Sequence, residues 1–240
     1  VQTCALPISA EIITSSNKSK IFSFKDETLE IEIPGILFTN PIGIAAGFDY
    51  DADLIDILPS VGFGFHTIGT VTNLPYAGNA RPMLGRLPKS RSLLVNKGFK
   101  SMGLESVLKK INKRKKTIPL GISIGSTNKT YKDIEEMADD IVTSFERVLK
   151  EDYFIYFELN ISCPNLINTE NLVEKFDTPN GLNFLLSKLE KLQINRPLFI
   201  KMYLEKSEED TLLLAEVASR FSFVKGFIFS NLVKDRTNPS

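Results

Sequence analysis

Short apolar runs alternate with amphipathic segments along most of the chain. Runs of roughly four to eight apolar residues, bounded by glycine, proline or charged residues, are typical of buried strands. Six such runs lie at residues 42–47, 64–70, 119–125, 153–157, 197–202 and 226–231. Apolar residues at helical spacing predict helices at residues 51–58, 104–111, 131–149, 179–192 and 208–220. Residues 71–102 predict a long loop, and such a loop inside a compact domain is usually functional.

This alternation predicts the α/β class, with a parallel sheet covered by helices. Two architectures have this order, the doubly wound sheet and the (β/α)8 barrel. The first strand is not followed by the Gly-x-Gly-x-x-Gly turn of dinucleotide-binding folds. All six strands end in small or polar residues, as in barrels that carry an active site there. We therefore predict a TIM barrel with about six of its eight βα units, preceded by a β-hairpin at residues 29–38.

The fourth strand runs into residues 158–165, Glu-Leu-Asn-Ile-Ser-Cys-Pro-Asn. Pro164 cannot donate a ladder hydrogen bond and favours an extended residue before it, so the strand ends near Cys163. This places a thiol between the amides of Asn160 and Asn165, which can both donate and accept hydrogen bonds. Such amides suit a planar ligand with alternating carbonyl and N–H groups. A free cysteine is also common as a small core residue, so the motif alone leaves both interpretations open.

Two charged residues lie within predicted strands. Lys201 follows the apolar run of the fifth strand, and Glu158 continues the fourth. A buried lysine is costly unless it is paired or bound to a ligand. We expect an ion pair between the two side chains, which is compatible with a ligand close to the lysine.

Composition narrows the possible partners. Lys and Arg total 29, as do Asp and Glu, so a net charge of zero favours neither nucleic acid nor a membrane surface. The two cysteines, Cys4 and Cys163, do not indicate a disulfide framework, which predicts a reducing cytoplasm. One histidine, with no ligand-like spacing of other residues, predicts no metal site.

Several stretches together resemble the dihydroorotate dehydrogenases, FMN-dependent (β/α)8 barrels of pyrimidine synthesis. One of them is Asn-Pro-Ile-Gly-Ile-Ala-Ala-Gly-Phe-Asp at residues 40–49, and another is the cysteine motif at 158–165. The others are residues 62–65, 68–72, 78–79, 81–82, 86–88, 96–99, 199–201 and 230–231. The resemblance implies an oxidoreductase that converts dihydroorotate to orotate through FMN during UMP biosynthesis.

The resemblance also implies roles for individual residues. Cys163 would be the general base that takes a proton from C5 of dihydroorotate, for which a thiol pKa of about 8.5 needs modest tuning. Contacts with FMN are implied for Ala45, Ala46, Gly47, Thr70, Ser123, Asn160, Lys201 and Ser230. Contacts with the substrate are implied for Asn96, Gly98, Phe99, Asn165 and Asn231.

The chain mixes features of two classes within this family. The soluble class has a cysteine base and the membrane-associated class a serine base. Residues 158–165 resemble the soluble class, whereas residues 45–49 and 68–72 resemble the membrane-associated class. The electron acceptor is therefore open between a quinone, fumarate and NAD reached through a partner subunit. The likeness to the soluble class is compatible with a homodimer.

The lysines that face the substrate in the two classes are both replaced here. Tyr50 stands where the membrane-associated class has a lysine, and Gly69 and Thr70 stand where the soluble class has one. Lys97 and Lys100, in the long loop, are the candidate substitutes.

We divide the chain into three parts. Residues 1–8 lack the features of a signal peptide and are typical of a non-native remnant. Residues 9–28 predict a loose N-terminal segment, and residues 29–240 a partial FMN-binding TIM-barrel domain. The family's last two strands, whose loops bind the FMN phosphate, are not in the sequence, so we expect a fragment that is inactive by itself. The alternatives are another FMN barrel that acts on a pyrimidine, such as a dihydrouridine synthase, and a barrel fragment without catalysis.

Overall fold

The computed structural model describes residues 26–33, 35–166, 172, 175–203, 206–229 and 231–232. Within them the strands are β1 (Ile31–Ile33), β2 (Ile36–Phe38), β3 (Gly43–Ile44), β4 (Phe65–Val71), β5 (Leu84–Leu87), β6 (Ser92–Val95), β7 (Leu120–Ile124), β8 (Tyr156–Asn160), β9 (Leu198–Lys201) and β10 (Val224–Ile228). The α-helices are α1 (Leu104–Ile111), α2 (Ile134–Val148), α3 (Pro179–Glu190) and α4 (Glu208–Ser219). Residues 1–8 and most of residues 9–28 lie outside the described part.

The main sheet contains six parallel strands in the order β3–β4–β7–β8–β9–β10. From one edge of this sheet to the other, the strands lie in the same order as in the sequence. In a doubly wound sheet, by contrast, the strand order reverses at a switch point. The prediction of a partial (β/α)8 barrel is therefore confirmed, with β3 and β10 at the two edges of the described sheet.

Hydrogen-bonding side chains begin three of the four helices. The side chains of Asp133, Thr178 and Ser207 accept hydrogen bonds from backbone N–H groups in the first turns of α2, α3 and α4. Each side chain satisfies a donor that has no partner within the helix. The predicted bounds of α1 agree exactly, and the ends of the other three differ by up to three residues.

Alternation along the strands separates an apolar layer from a polar interior. In β8, Phe157 and Leu159 are fully buried in the core cluster shared with the helices. Tyr156, Glu158 and Asn160 alternate with them and point to the opposite face, because successive strand residues face opposite sides. The polar residues that could form a site are therefore collected on the inner side of the wall.

The predicted N-terminal hairpin is confirmed as the antiparallel pair β1–β2. Ile36 and Phe38 of β2 are buried in a second cluster with Tyr156 and Phe199, which lie near the starts of β8 and β9. The ring centroids of Phe38 and Phe65 are 4.9 Å apart in an edge-to-face arrangement. The hairpin thus covers the amino-terminal end of the sheet, and the opposite end is left for ligands.

The predicted helix at residues 51–58 is wrong. These residues form turns that lead into a short 3₁₀ helix, Leu58–Val61. The backbone N–H groups of Asp53 and Leu54 donate to the carboxylate of Asp49 at 2.8 and 3.0 Å. Ala52 has φ of +60°, which an α-helix does not allow. A side chain that captures backbone donors competes with the helix.

The long loop at residues 71–102 is also more ordered than predicted. Its strands β5 and β6 pair as an antiparallel hairpin, with Leu84 opposite Val95 and Leu87 opposite Ser92. The two strands are too short and too exposed to show a clear alternation in the sequence. The predicted sixth strand, by contrast, ends at Ile228 and does not continue to residue 231.

Candidate active site

A cavity of about 830 Å³ lies at the carboxyl ends of the parallel strands. This volume is within the range of small-molecule and cofactor sites. The lining residues come from the carboxyl ends of β3, β4, β8, β9 and β10, from the β5–β6 hairpin and from the segment that follows this hairpin. They are Ala46, Gly47, Phe48, Tyr50, Thr70, Leu84, Arg86, Leu93, Val95, Lys97, Gly98, Phe99, Asn160, Cys163, Asn165, Lys201, Asn231 and Leu232.

Residues 46–50, which follow β3, form one side of the cavity, and backbone hydrogen bonds attach this segment to β4. The N–H of Gly47 donates to the carbonyl of Gly69 at 2.6 Å, and the N–H of Gly69 donates to the carbonyl of Asp49 at 2.9 Å. The carboxylate of Asp49 also lies 3.3 Å from Nε2 of His66. Burial acts to raise the pKa of Asp49, but the adjacent His66 side chain and hydrogen bonds from two backbone N–H groups hold it below its usual value.

A hydrogen-bonded column of polar side chains supports the cavity floor. The Asn160 amide donates to Oγ1 of Thr70 at 2.8 Å, and the hydroxyls of Thr70 and Ser123 are 2.9 Å apart. Ser123 in turn donates to Oε1 of Glu158 at 2.6 Å. Nζ of Lys201 lies 3.6 Å from the same Glu158 oxygen, so the expected ion pair is present. The column fixes the orientation of Thr70 and Asn160 towards the cavity.

Cys163 stands at the cavity wall, three residues after the end of β8. Burial raises the pKa of its thiol to about 11, because desolvation outweighs the backbone N–H groups of Asn165 and Phe99 and the charge of Lys201. Burial therefore does not supply the expected tuning, because it favours the protonated thiol, and only the two backbone N–H groups and Lys201 act towards the thiolate.

Neighbouring amides join the cysteine motif to the surrounding loops. Nδ2 of Asn231 donates to the carbonyl and the hydroxyl of Ser162 at 3.1 and 2.9 Å. Nδ2 of Asn79 donates to the carbonyl of Asn165 and to Oδ1 of Asn96, both at 2.9 Å. Nδ2 of Asn128 donates to Oδ1 of Asn79 at 3.2 Å. The segment after β6 and the exit of β8 are thus bridged by side-chain amides.

The family model for dihydroorotate dehydrogenase matches residues 28–237. The chain belongs to the dihydroorotate dehydrogenase family. It is 35% identical over 223 residues to the dihydroorotate dehydrogenase (quinone) of Christiangramia forsetii, covering 93% of this chain and 64% of that protein. It is also 35% identical to the same-named protein of a Synechococcus strain, covering 91% of this chain and 56% of that protein. The chain therefore spans less than two thirds of the length of these relatives.

Solved structures agree with the fold of this family. The chain superposes on DHODH from Eimeria tenella in complex with ferulenol with a TM-score of 0.76 and 24% identity. A ligand-free structure from the same organism gives a TM-score of 0.74 and 25% identity. These alignments cover 96% of this chain and 67% and 70% of the two structures, so they show a shared barrel wall.

Most of the site residues expected from the family resemblance meet at the cavity of this dihydroorotate dehydrogenase family member. The residues that line it are Ala46, Gly47, Thr70, Gly98, Phe99, Asn160, Cys163, Asn165, Lys201 and Asn231. Three described residues do not line it. Ala45 is exposed and precedes the lining residue Ala46. Ser123 is fully buried next to Thr70, and Asn96 accepts a hydrogen bond from Asn79. Ser230 lies outside the described residues.

Sequence reasoning missed three residues that position the site. Asn79 and Asn128 hold the loop amides together, and Asp49 organises the turn at residues 50–54. Asn79 lies in a stretch that already resembles the family, and this could have pointed to it. Asp49 likewise ends a stretch, residues 40–49, that resembles the family, whereas Asn128 gave no local signal because its partners are distant in the chain.

Proposed function

We propose that this chain forms most of the flavin and substrate site of a dihydroorotate dehydrogenase that oxidises dihydroorotate to orotate with FMN. The observation that carries the proposal is one cavity that joins a thiol, Cys163, with the amides of Asn165 and Asn231. Gly47 and Lys201 line the same cavity. A thiol base, amides for a pyrimidine and an open backbone wall for a flat cofactor are what this reaction requires.

The exit of β3 and the polar column fit FMN. Gly47 has φ of +104°, and a Cβ added there would meet no atom within 4 Å, so the backbone faces open space that a flat ring can occupy. Thr70, Asn160 and Lys201 provide polar groups beside this space. When bound, FMN supplies the hydride acceptor. The charge of Lys201 would favour the reduced, more negative cofactor.

Of the predicted FMN residues, Ala45 and Ser123 do not line the cavity, and Ser230 lies outside the described residues. We propose that Ser123 acts by orienting Thr70, because the two hydroxyls are 2.9 Å apart. The roles of Ala45 and Ser230 stay predictions from the family resemblance.

The substrate would lie between the amides and the thiol. Asn165 and Asn231 can both donate and accept, which matches the alternating carbonyl and N–H groups of a pyrimidine. The backbone at Gly98 and Phe99 borders the same space, and Phe99 directs its N–H towards the sulfur of Cys163. Asn96 would contribute from the edge of this pocket, next to Asn79.

Cys163 would remove the proton from C5 of dihydroorotate. Its raised pKa keeps the thiol protonated in the ligand-free site. The positive charge of Lys201 and the two backbone N–H groups favour the thiolate, so they are the groups that make the transfer possible. Because the pKa of the thiol is raised, the fraction of thiolate grows with pH, and we expect the reaction to be faster at alkaline pH.

We propose a quinone as the electron acceptor, because the similar proteins carry quinone in their names. Exposed apolar side chains at the cavity mouth, such as Phe48 and Leu93, offer a surface for an apolar acceptor. No helix within the described residues is long and apolar enough to cross a membrane. A place in pyrimidine biosynthesis, a cytoplasmic location and a homodimer stay predictions.

The test uses the full natural reading frame that contains this chain, purified and loaded with FMN. Dihydroorotate is added without oxygen, and the visible flavin absorbance is followed by stopped flow. We expect Cys163→Ala to slow bleaching by about 10²- to 10⁴-fold, as for the loss of a general base. Ser219→Ala, at the exposed last residue of α4 and outside the cavity lining, is the control and should leave the rate unchanged.

Two results would contradict the proposal in different ways. If the protein binds FMN but dihydroorotate does not bleach it, the substrate is wrong, and a different pyrimidine is to be sought. If bleaching is equally fast in Cys163→Ala, dihydroorotate is the substrate but Cys163 is not the base.

A further inference from the structure

We propose that Lys97, held over the ring of Tyr50, is the cation that binds the carboxylate of the substrate. This inference rests on the proposed function, because it concerns the carboxylated pyrimidine that the site would accept. It makes Lys97 a specificity-determining residue.

Lys97 is placed at the cavity by the segment that follows β6. Its Nζ lies 3.9 Å from the centroid of the Tyr50 ring, and both residues line the cavity with Cys163. The next two residues, Gly98 and Phe99, have φ of +62° and +60°. This turn brings the N–H of Phe99 to the sulfur of Cys163, so Lys97 precedes by two positions the residue that contacts the thiol.

The other cations near the cavity are less suited to this role. Lys201 is paired with Glu158 at 3.6 Å, and its side chain is only 8% exposed. Arg86 lies on the exposed β5 strand of the hairpin. Lys100 is exposed and does not line the cavity. Lys97 is therefore the cavity-lining cation that is partly shielded from water and, within the described residues, forms no ion pair.

The contact with Tyr50 positions the ammonium group without neutralising it. An aromatic face attracts a cation through its quadrupole and carries no net charge. Burial raises the pKa of Tyr50 to about 12, so its hydroxyl stays neutral. Burial and the nearby Lys100 lower the pKa of Lys97, while Asp51 acts in the opposite direction. A carboxylate bound beside Lys97 would stabilise its charged form.

The test compares two ligands that differ in the carboxylate. Orotate and uracil are each titrated into the FMN-loaded protein by calorimetry, for the wild type, Lys97→Met and Lys97→Arg. We expect Lys97→Met to weaken orotate by about 10- to 100-fold, as for the loss of a charge-assisted hydrogen bond. Uracil should bind equally to both. Lys97→Arg should restore most of the affinity for orotate, because it keeps the charge.

Matched variants separate a specific effect from a general one. Lys100→Met removes an adjacent exposed lysine and should leave orotate binding unchanged. Tyr50→Leu removes the ring over which Lys97 lies and should weaken orotate binding, and Tyr50→Phe, which keeps the ring, should recover most of that loss. Circular dichroism melting curves show that each variant is folded.

The outcomes distinguish this inference from the proposed function. Equal orotate affinity in the wild type and Lys97→Met would overturn the role of Lys97 and leave the proposed function intact. An equal loss for orotate and uracil would also overturn it, since the effect would not concern the carboxylate. A folded, FMN-loaded wild type that binds no orotate would overturn the proposed function and this inference together.

Discussion

Replacement of Lys201 by methionine tests how the fold supports the cavity floor. Methionine has nearly the same length as the lysine stem and removes only the charge. Lys201 and Glu158 extend from neighbouring strands, with side-chain exposures of 8% and 1%. The change therefore leaves a carboxylate without its cation inside the barrel.

The expected loss follows from the geometry of the pair. Two unit charges 3.6 Å apart attract by roughly 5 kcal/mol at an effective dielectric constant of about 20. Removal of one partner of a buried pair costs about 3–5 kcal/mol. Ser123 continues to donate to Glu158 at 2.6 Å. We therefore expect the free energy of unfolding to fall by about 3 kcal/mol, the lower end of this range.

Urea unfolding of the flavin-free protein, followed by far-UV circular dichroism, measures this loss. The cofactor is left out because ligand binding would add its own stabilisation. With a slope of about 3 kcal/mol per molar urea, a loss of about 3 kcal/mol lowers the midpoint by roughly 1 M. Lys188→Met is the control. Lys188 pairs with Glu135 and Asp139 on the surface, so we expect a loss below about 1 kcal/mol.

A double mutant completes the test. Glu158→Gln with Lys201→Met removes both charges, so its loss should be smaller than the sum of the single losses by about 0.5–3 kcal/mol. If Lys201→Met shifts the midpoint no more than the surface control, the buried ion pair does not stabilise the cavity floor. Additive losses would likewise show that the two side chains do not interact.

Three further predictions concern the packing around Gly125, the pH dependence of the reaction and the hydrogen bonds of Asp49. A Cβ in Gly125→Ala would lie 2.6 Å from the Phe99 ring, so thermal melting should show a loss of about 1–3 kcal/mol; Gly85→Ala, whose nearest neighbour would be at 3.6 Å, should change stability little. Because the pKa of Cys163 is raised to about 11, kcat/KM for dihydroorotate should rise from pH 7 to 10 and level off only above that range; a plateau from pH 7 would show that the free site holds a thiolate. Asp49→Ala frees two backbone donors and His66 and should cost about 2–4 kcal/mol in urea unfolding; Asp49→Asn should cost less.

The elements with strong periodicity could be predicted from the sequence alone. Helix α1 and the hairpin β1–β2 follow from spacing and turn residues within about ten positions. The ion pair between Lys201 and Glu158 also followed, because a buried charge inside a strand requires a partner. In the helix and the hairpin the deciding interactions are local. In the ion pair, the free-energy cost of an unpaired buried charge makes a nearby opposite charge necessary.

The turn at residues 51–58 could not be predicted in this way. Its apolar spacing favours a helix, but the carboxylate of Asp49 takes two of the backbone donors. Asp49 is itself held by Gly69 and lies beside His66, both about twenty residues away. A local pattern does not contain that competition.

The sequence by itself determined the order of the six strands of the main sheet and of helices α1 to α4, the barrel class and the presence of a thiol after a strand. The tertiary structure decided which loop residues share the cavity. Lys97 lies over Tyr50 and shares a cavity with Cys163 because the segments that follow β3, β6 and β8 converge at one end of the sheet. The tertiary structure also decided the pKa of the Cys163 thiol, since its burial depends on which residues pack around it. The periodicity that predicts strands and helices depends on residues close together in the sequence. The contacts and the desolvation that shape the site depend on residues far apart in the sequence.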